Sequence, residues 1–253
     1  MDIIKERDVK VFNRGHLSSK KDFLVAEENL QILLNGAELV NISCSPENTT
    51  QLAMGYLLSE GYIKKLEDIK HVQVDNPLVI HVETKNKTEF SLDKTKINTC
   101  MGRGKSNLPL PLPVGNHSLR FRARHLLKII NELEDTSATF KQTGGVHSAG
   151  LADNKELLFR YEDIGRHNAV DKVIGEAFLK QISFHDKCLL LSGRIAAEIL
   201  LKTAFRGIPV ILSRSAPTSR AVNLAEKLGL TVVGFARGER FNLYCNDERI
   251  DYD

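Results

Sequence analysis

The 253-residue chain contains no tryptophan and only four cysteines, at positions 44, 100, 188 and 245. The cysteines are widely separated, so no C-x-x-C pair indicates a zinc site or a redox-active dithiol. No apolar run approaches the roughly 18 residues that indicate a membrane-spanning helix. Residues 1–7 lack a basic region followed by an apolar stretch, the pattern of a secretory signal. We therefore expect a cytoplasmic protein with reduced thiols and no membrane partner.

The net charge is also small, because 35 Lys and Arg residues are nearly balanced by 32 Asp and Glu residues, which gives a net charge of +3. That value is modest for a nucleic-acid-binding protein, and we expect no nucleic-acid partner. The remaining composition, 42% hydrophobic and 26% charged, is ordinary for a globular protein. A chain of this length is expected to form one large domain or two unequal ones.

Residues 1–95 have the pattern of a small, β-rich α+β subdomain. Asn35-Gly36 lies between two apolar runs and predicts a hairpin with a type I′ turn, which needs positive φ twice. Ser45-Pro46 predicts the start of a helix, with Ser45 as N-cap and proline in the first turn. Further strands are expected at 72–74, 79–82 and 90–92.

Residues 96–118 predict a mobile basic loop, rich in glycine and proline and without periodicity. Between Lys94 and Asn131 the sequence holds eight Lys or Arg residues and no Asp or Glu. Cys100 lies inside this basic block, where neighbouring positive charge would favour its thiolate and hence its reactivity. The alternative is a solvated basic linker that holds an incidental cysteine.

Residues 119–253 predict an α/β domain. Helices are expected at 122–134, 166–180, 196–206 and 219–228. They alternate with strands at 187–191, 209–212 and 231–235, and this order is typical of an α/β domain with a largely parallel core. Small, hydroxyl and arginine side chains follow these strands, among them Arg194, Ser215, Thr218 and Arg237. Such residues at the carboxyl edge of a sheet favour a nucleotide-like ligand, although Ser and Thr also serve as plain helix caps.

The segment from Glu162 to Gly175 combines a charged turn with the start of a helix that has one apolar face. The turn, Asp163 to Asn168, follows a predicted strand, so Arg166 and His167 should lie at an edge where α/β sheets bind ligands. The simpler alternative is that Asp163 caps the helix, Arg166 pairs with a carboxylate and His167 is a satisfied edge residue.

Several motifs together resemble those of the formate dehydrogenase accessory sulfurtransferase family, in the same order along the chain. They are Asn35-Gly36, Leu52–Leu57 with Glu60-Gly61, Thr143–His147, Glu162–Gly175, Ser192–Arg194, Ser215–Thr218 and Gly234–Arg237. The resemblance implies a cytidine-deaminase-like, three-layer α/β fold with a smaller β-rich appendage, in a protein that forms homodimers. It also implies transfer of sulfur from a cysteine desulfurase to the molybdenum cofactor, before that cofactor enters formate dehydrogenase.

By the same resemblance, Cys100 is the catalytic sulfur carrier. The family's loop usually has the sequence Cys-Gly-x-Cys-Gly, whereas this chain has Cys100-Met101-Gly102-Arg103-Gly104, so Arg103 replaces the second cysteine. One thiol can still carry sulfur as a persulfide, and Arg103 would help to hold its thiolate. The implied ligand is bis-molybdopterin guanine dinucleotide, with guanine nucleotides as possible mimics. The implied cofactor-binding residues are Phe235, Ala236, Arg237, Gly238, Glu239 and Arg240, followed by Arg194, Ser215 and Thr218.

Two other functions fit parts of the sequence. The loss of the second loop cysteine is compatible with a chaperone that binds the molybdenum cofactor without carrying sulfur. His81-Val82-Glu83 matches half of the zinc deaminase signature, but the P-C-x-x-C half is missing. An exposed strand face explains His81 and Glu83 better, and we expect no metal site.

Overall fold

The computed structural model describes residues 2–85 and 118–252. Cys100, Arg103 and most of the predicted basic loop lie outside these ranges. The N-terminal part forms a two-stranded hairpin, a four-stranded sheet and one helix. Its elements are β1 (Ile4–Asn13), β2 (His16–Val25), β3 (Glu28–Leu34), β4 (Ala37–Cys44), α1 (Thr49–Ser59), β5 (Ile69–Asn76) and β6 (Val79–Thr84).

The hairpin predicted at Asn35-Gly36 is confirmed. These two residues join β3 to β4 with φ values of 53° and 85°, the two positive angles that a type I′ turn requires. The four-stranded sheet has the order β4-β3-β6-β5, in which only β3 and β6 are parallel. The prediction for residues 90–92 lies outside the described residues.

The predicted helix start at Ser45 is wrong. Helix α1 begins at Thr49, after Asn48 in the left-handed conformation. Ser45 is fully buried, its backbone N–H donates to Asp163 Oδ2 at 3.2 Å, and its hydroxyl accepts from the backbone of Ile164 at 3.1 Å. Since both groups are bonded to residues more than 100 positions away, Ser45 joins two parts of the molecule instead of capping a helix.

The C-terminal part follows the predicted alternation of helices and strands. Its elements are β7 (Phe121–Arg122), α2 (Ala123–Asp135), α3 (Ala138–Thr143), β8 (His147–Ala152), β9 (Leu157–Asp163), α4 (Arg166–Leu179), β10 (Cys188–Leu191), α5 (Ala197–Phe205), β11 (Val210–Ser213), α6 (Ser219–Leu228), β12 (Thr231–Arg237), β13 (Arg240–Cys245) and β14 (Ile250–Asp251).

A six-stranded sheet with the order β13-β12-β11-β10-β8-β9 forms the centre of this part. Strands β10, β11 and β12 are parallel, and antiparallel pairs add β8 and β9 on one side and β13 on the other. Antiparallel β8 begins where β10 ends, so the start of β8 and the ends of the parallel strands share one edge of the sheet.

Alternating side chains of the parallel strands bury both faces of this sheet. Cys188 and Leu190 pack on the side of helix α2, whereas Leu189 and Leu191 pack on the side of helix α4. The result is a three-layer arrangement of helix, sheet and helix, and the predicted α/β fold class is confirmed. None of the described helices is long and apolar enough to cross a membrane.

Helices α1 and α4 cross in backbone contact, and this crossing joins the N-terminal part to the central sheet. A Cβ atom at Gly55 of α1 would lie 1.8 Å from the carbonyl oxygen of Asp171, and one at Gly175 of α4 would lie 1.9 Å from that of Gln51. Side chains cannot be accommodated at either position. One hydrophobic core runs through this crossing, from Leu30 in the N-terminal sheet to Val232 in the central sheet.

Candidate functional site

A cavity of about 400 Å³ opens at the edge of the central sheet where the parallel strands end. It lies between the end of α2, the turn after α3 and the loops that follow β10, β11 and β12. Its lining residues are Leu133, Glu134, Ser137, Phe140, Gly144, Gly145, Val146, His147, Ser148, Ile164, Ser192, Arg214 and Arg237. Ligands of open α/β sheets bind at this kind of edge.

Two arginines line one side of the cavity. Arg214 forms an ion pair with Glu134 of helix α2. Arg237, at the end of β12, donates from Nε to the backbone oxygen of Arg214 at 2.9 Å, and it has no acidic side chain within 4 Å among the described residues. Its terminal nitrogens therefore remain available to an anion, and arginine binds phosphate oxygens well because of its forked geometry.

Hydrogen-bonded polar side chains line a second side. Ser137 is bonded to the carboxylate of Glu162, which also pairs with Arg160 at 2.8 Å. Burial alone would raise the pKa of Glu162, but the Ser137 hydrogen bond and the Arg160 charge lower it below its usual value. This carboxylate is compensated within the wall, so it leaves no free negative charge facing the cavity.

His147, at the start of β8, lines a third side, and Arg166, His167 and Arg194 lie near it without lining the cavity. Burial and the charges of Arg166 and Arg194 lower the pKa of His147, against an opposing effect of Asp163. Burial, together with the charges of Lys202 and Arg166, lowers the pKa of His167 to about 3. Both imidazoles are therefore neutral at pH 7, and each can offer one donor and one acceptor.

A buried ion pair fixes the turn behind these residues. Asp163 and Lys172 have fully buried side chains, and Lys172 Nζ lies 2.7 Å from Asp163 Oδ2. Lys172 also donates to the backbone oxygen of Glu162 at 3.0 Å, while Asp163 Oδ1 accepts from the Gly165 backbone and from Asn168, both at 2.9 Å. These bonds hold the start of α4, and with it Arg166 and His167, in one position.

The residues predicted from Phe235 to Arg240 have different surroundings. Phe235 is 38% exposed with φ of 51°, Ala236 is buried in the core beneath α2, and Arg237 lines the cavity. The carbonyl oxygen of Gly238 accepts from Asn131 at 3.1 Å, and Glu239 and Arg240 are exposed at the tip of the β12–β13 hairpin. Only part of this segment therefore faces the cavity.

The other predicted cofactor-binding residues lie at the same edge of the sheet. Arg194 is exposed and acts electrostatically on His147. Ser215 accepts a backbone hydrogen bond from Phe235 at 3.1 Å. Thr218 caps helix α6, because its hydroxyl accepts from the Ala221 backbone at 3.2 Å. The structure thus brings the predicted loops together, with Arg237 as the predicted side chain that lines the cavity.

Sequence reasoning missed His147 and Arg214 as site residues. Arg214 lies in the loop after β11, from which only Ser215 and Thr218 were predicted, and His147 is the last residue of the Thr143–His147 motif. The Gly144-Gly145 pair is a signal for His147, because two consecutive glycines let the backbone approach a ligand closely. Both glycines line the cavity.

Acidic, histidine and cysteine side chains do not cluster in threes as a metal site within residues 2–85 and 118–252. His81 Nε2 lies 2.8 Å from Asp75, and Glu83 pairs with Lys70 at 3.0 Å, both on the N-terminal sheet. The motif that resembled half of a deaminase signature is therefore part of an ion-paired strand face.

The three described cysteines are poor nucleophiles. Cys44 and Cys188 are fully buried, and Cys245 is half-buried. Burial raises the pKa of Cys44 to about 12 and that of Cys245 to about 11, and it raises the pKa of Cys188 as well. Thiolates, which are the reactive form, are thus disfavoured at all three positions.

Known proteins match nearly the whole length of this chain. The model of the FdhD/NarQ family matches residues 25–251. The chain is 39% identical to "Sulfur carrier protein FdhD" of Bacillus pumilus, with 97% of each chain covered, and 37% identical to the protein of that name from Bacillus subtilis, with 96% covered. The relative in Listeria monocytogenes serotype 4b is 38% identical, with 99% of this chain and 100% of the relative covered.

A solved structure shows the same fold. The crystal structure of a putative formate dehydrogenase accessory protein from Desulfotalea psychrophila superposes with a TM-score of 0.87 and 30% sequence identity, covering 99% of this chain and 100% of that one. This similarity and the match of the family model to residues 25–251 show that the chain belongs to the FdhD/NarQ family.

Proposed function

We propose that the protein is a sulfur carrier that supports formate dehydrogenase. In this proposal Cys100 accepts sulfur from a cysteine desulfurase and passes it to bis-molybdopterin guanine dinucleotide, before that cofactor enters the dehydrogenase in the cytoplasm. The observation that carries the proposal is similarity over at least 96% of the chain to proteins named sulfur carrier protein FdhD.

The loading step is a thiol–persulfide exchange. The Cys100 thiolate attacks the outer sulfur of the desulfurase persulfide, a new S–S bond forms on Cys100, and the desulfurase cysteine leaves as a thiolate. The exchange needs no external oxidant or reductant. A single cysteine is sufficient, so the replacement of the second loop cysteine by Arg103 does not prevent it.

The surroundings of the other cysteines favour Cys100 as the carrier. The protein has four cysteines, and burial suppresses the thiolates of Cys44, Cys188 and Cys245. Cys100 instead lies in a stretch of sequence that contains eight basic residues and no acidic one. A basic environment favours the thiolate.

The cavity supports the second half of the proposal, the binding of a nucleotide-bearing cargo. It lies at the sheet edge that commonly holds nucleotides, and Arg237 has guanidinium nitrogens free for pyrophosphate oxygens. We expect Arg237→Ala to weaken the binding of GDP, used as a mimic of the cofactor's guanine nucleotide. Arg7→Ala, which removes an exposed arginine from strand β1 of the N-terminal hairpin, is the matched control.

Complementation tests the proposal in cells. A strain that lacks its own member of this family and has no formate dehydrogenase activity would receive the native protein, Cys100→Ala or Cys245→Ala. We expect the native protein and Cys245→Ala to restore formate dehydrogenase activity, and Cys100→Ala to fail although it accumulates to the same level.

A cofactor chaperone is the second candidate, and the observation in its favour is Arg103 in place of a second cysteine. A chaperone that does not carry sulfur would restore activity equally well with or without the Cys100 thiol. Equal activity of Cys100→Ala and the native protein would therefore contradict sulfur transfer and favour the chaperone.

Homodimer formation is a further part of the proposal and rests on the resemblance to the family. Sedimentation of the native protein tests it.

A further inference from the structure

Arg166, the first residue of helix α4, lacks a partner for its charge. Its Nε atom is buried without a hydrogen-bond acceptor, and no carboxylate lies within 4 Å of its guanidinium in the described part of the chain. The Arg166 side chain is partly buried, and a guanidinium in such surroundings is normally given hydrogen-bond acceptors or a counter-charge. The counter-charge here is not supplied by residues 2–85 or 118–252.

Arg166 and His147 meet across Gly193, in the loop after β10. A Cβ atom at Gly193 would lie 3.1 Å from His147 Nδ1 and 3.6 Å from Arg166 Cβ. The absence of a side chain at Gly193 keeps open the space between these two residues. His147 also lines the cavity, so Gly193 and Arg166 lie next to the cavity wall without being among its lining residues.

The local charge balance is positive. Arg166 and Arg194 both act on His147, and the nearby carboxylate is that of Asp163. Asp163 is already neutralised by Lys172 at 2.7 Å and accepts further hydrogen bonds from Gly165 and Asn168. It is therefore not available to compensate Arg166 or Arg194.

We propose that His147, which lines the cavity, and Arg166 and Arg194, which lie next to His147 around Gly193, form a second anion-binding subsite beside the cavity, which holds a phosphate group of the ligand. Arg214 and Arg237 line the cavity itself, so the two groups of arginines would engage different phosphates of one phosphate-bearing molecule. This inference rests on the proposed function, because it defines how the cavity recognises its cargo.

Phosphate fits this subsite better than a monovalent carboxylate. Two guanidinium groups can share the oxygens of a phosphate, and the neutral imidazole of His147 can donate one further hydrogen bond. The arginines would supply the charge and His147 the orientation. A ligand with two or more linked phosphates would then bind more tightly than one with a single phosphate.

Calorimetric titration of the full-length protein tests the subsite. The probes are GDP, GMP and inorganic pyrophosphate, and the proteins are the native form, Arg166→Met, Arg166→Lys and Lys155→Met. Lys155 is exposed in the turn after β8, at the opposite end of the strand from His147, so its variant removes one positive charge far from the cavity.

We expect Arg166→Met to lower the affinity for GDP and for pyrophosphate at least tenfold, the usual effect of losing a charge-assisted hydrogen bond. Arg166→Lys should retain part of the affinity, and Lys155→Met should bind as the native protein does. Thermal unfolding of each variant identifies any that misfold. If Arg166→Met is among them, the affinity of Arg166→Lys is compared with that of the native protein instead.

Equal affinity of Arg166→Met and the native protein for both probes would overturn the subsite, as would a native protein that binds neither of them. A preference for GDP with no binding of pyrophosphate would also contradict it, because the nucleoside would then supply the affinity. Failure of the proposed function has a different readout, which is the absence of sulfur on Cys100 in the native protein.

Discussion

The buried pair of Asp163 and Lys172 provides a quantitative test of how the site is held in place. Replacing Lys172 by Met keeps most of the side-chain volume but removes the cation 2.7 Å from a fully buried carboxylate. It also removes hydrogen bonds to the backbone oxygens of Glu162 and Ser45, at 3.0 and 3.4 Å. Removing one member of a buried pair costs about 3–5 kcal/mol, because the remaining charge is left uncompensated.

Urea denaturation followed by circular dichroism measures this loss in the free energy of unfolding. The matched control is Lys70→Met, which breaks a pair of 3.0 Å with Glu83 whose side chains are 65% and 51% exposed. Exposed pairs contribute at most about 1 kcal/mol, so the control should change little. A Lys172→Met variant that unfolds within about 1 kcal/mol of the native protein would refute the reasoning.

A double-variant cycle separates the charge from the rest of the environment. Asp163→Asn alone leaves Lys172 buried without its counter-charge, so it should also be strongly destabilised. The combined variant has neither charge, and we expect it to be more stable than the sum of the two single effects predicts. Additive effects would show that the two side chains act independently.

Three further predictions concern the crossing, the cap and the histidines. Gly55→Ala should destabilise the protein severely or prevent its folding, since the added Cβ would lie 1.8 Å from a backbone oxygen of α4. Expression level and thermal unfolding measure this effect, and a native-like melting temperature would contradict it. Thr218→Ala should cost about 1 kcal/mol through loss of the α6 cap, without changing GDP affinity if capping is its whole role. His167 has a pKa of about 3 in the folded protein, so between pH 5 and 6.5 it is protonated mainly in the unfolded state. The free energy of unfolding should therefore decrease as the pH is lowered through this range, by up to about 1.4 kcal/mol per pH unit. Urea denaturation at each pH should show a smaller decrease for His167→Gln, and equal decreases for the two proteins would contradict a neutral histidine.

Local patterns predicted most of the fold. Asn35-Gly36 fixes its hairpin through the φ angles of two adjacent residues, so that turn does not depend on distant contacts. The helical spacing of apolar residues after Arg166 correctly predicted helix α4, but the helix has more than one apolar face, because every residue from Ala169 to Phe178 is buried. Strands β1 and β2 were not predicted, because their burial pattern is almost entirely exposed and gives little alternation of hydrophobicity.

The buried network was not predictable in the same way. Ser45 has the local pattern of a helix cap, but its hydrogen bonds go to Asp163 and Ile164, which are distant in sequence. In the Glu162–Gly175 segment, the dense ionisable residues suggested ligand binding. The structure assigns Asp163 and Lys172 to an internal ion pair, and it leaves Arg166 without one.

The candidate site was predictable at the level of loops but less so at the level of side chains. The strand-to-helix order indicated the sheet edge at which Arg237 lines the cavity, and the binding role of that edge stays a prediction. It could not distinguish Ala236, which faces the core, from its neighbours, because the strand is bulged and alternation fails there. The assignment of Cys100 stays a prediction, since that residue lies outside the described ranges.

Intact-mass spectrometry tests the central claim most directly. The native protein, Cys100→Ala and Cys245→Ala would each be incubated with a cysteine desulfurase and cysteine, and their masses compared before and after treatment with cyanide. Sulfur carriage on Cys100 predicts one added, cyanide-labile sulfur atom in the native protein and in Cys245→Ala, and none in Cys100→Ala. No added sulfur in the native protein, or equal sulfur in Cys100→Ala, would contradict the account.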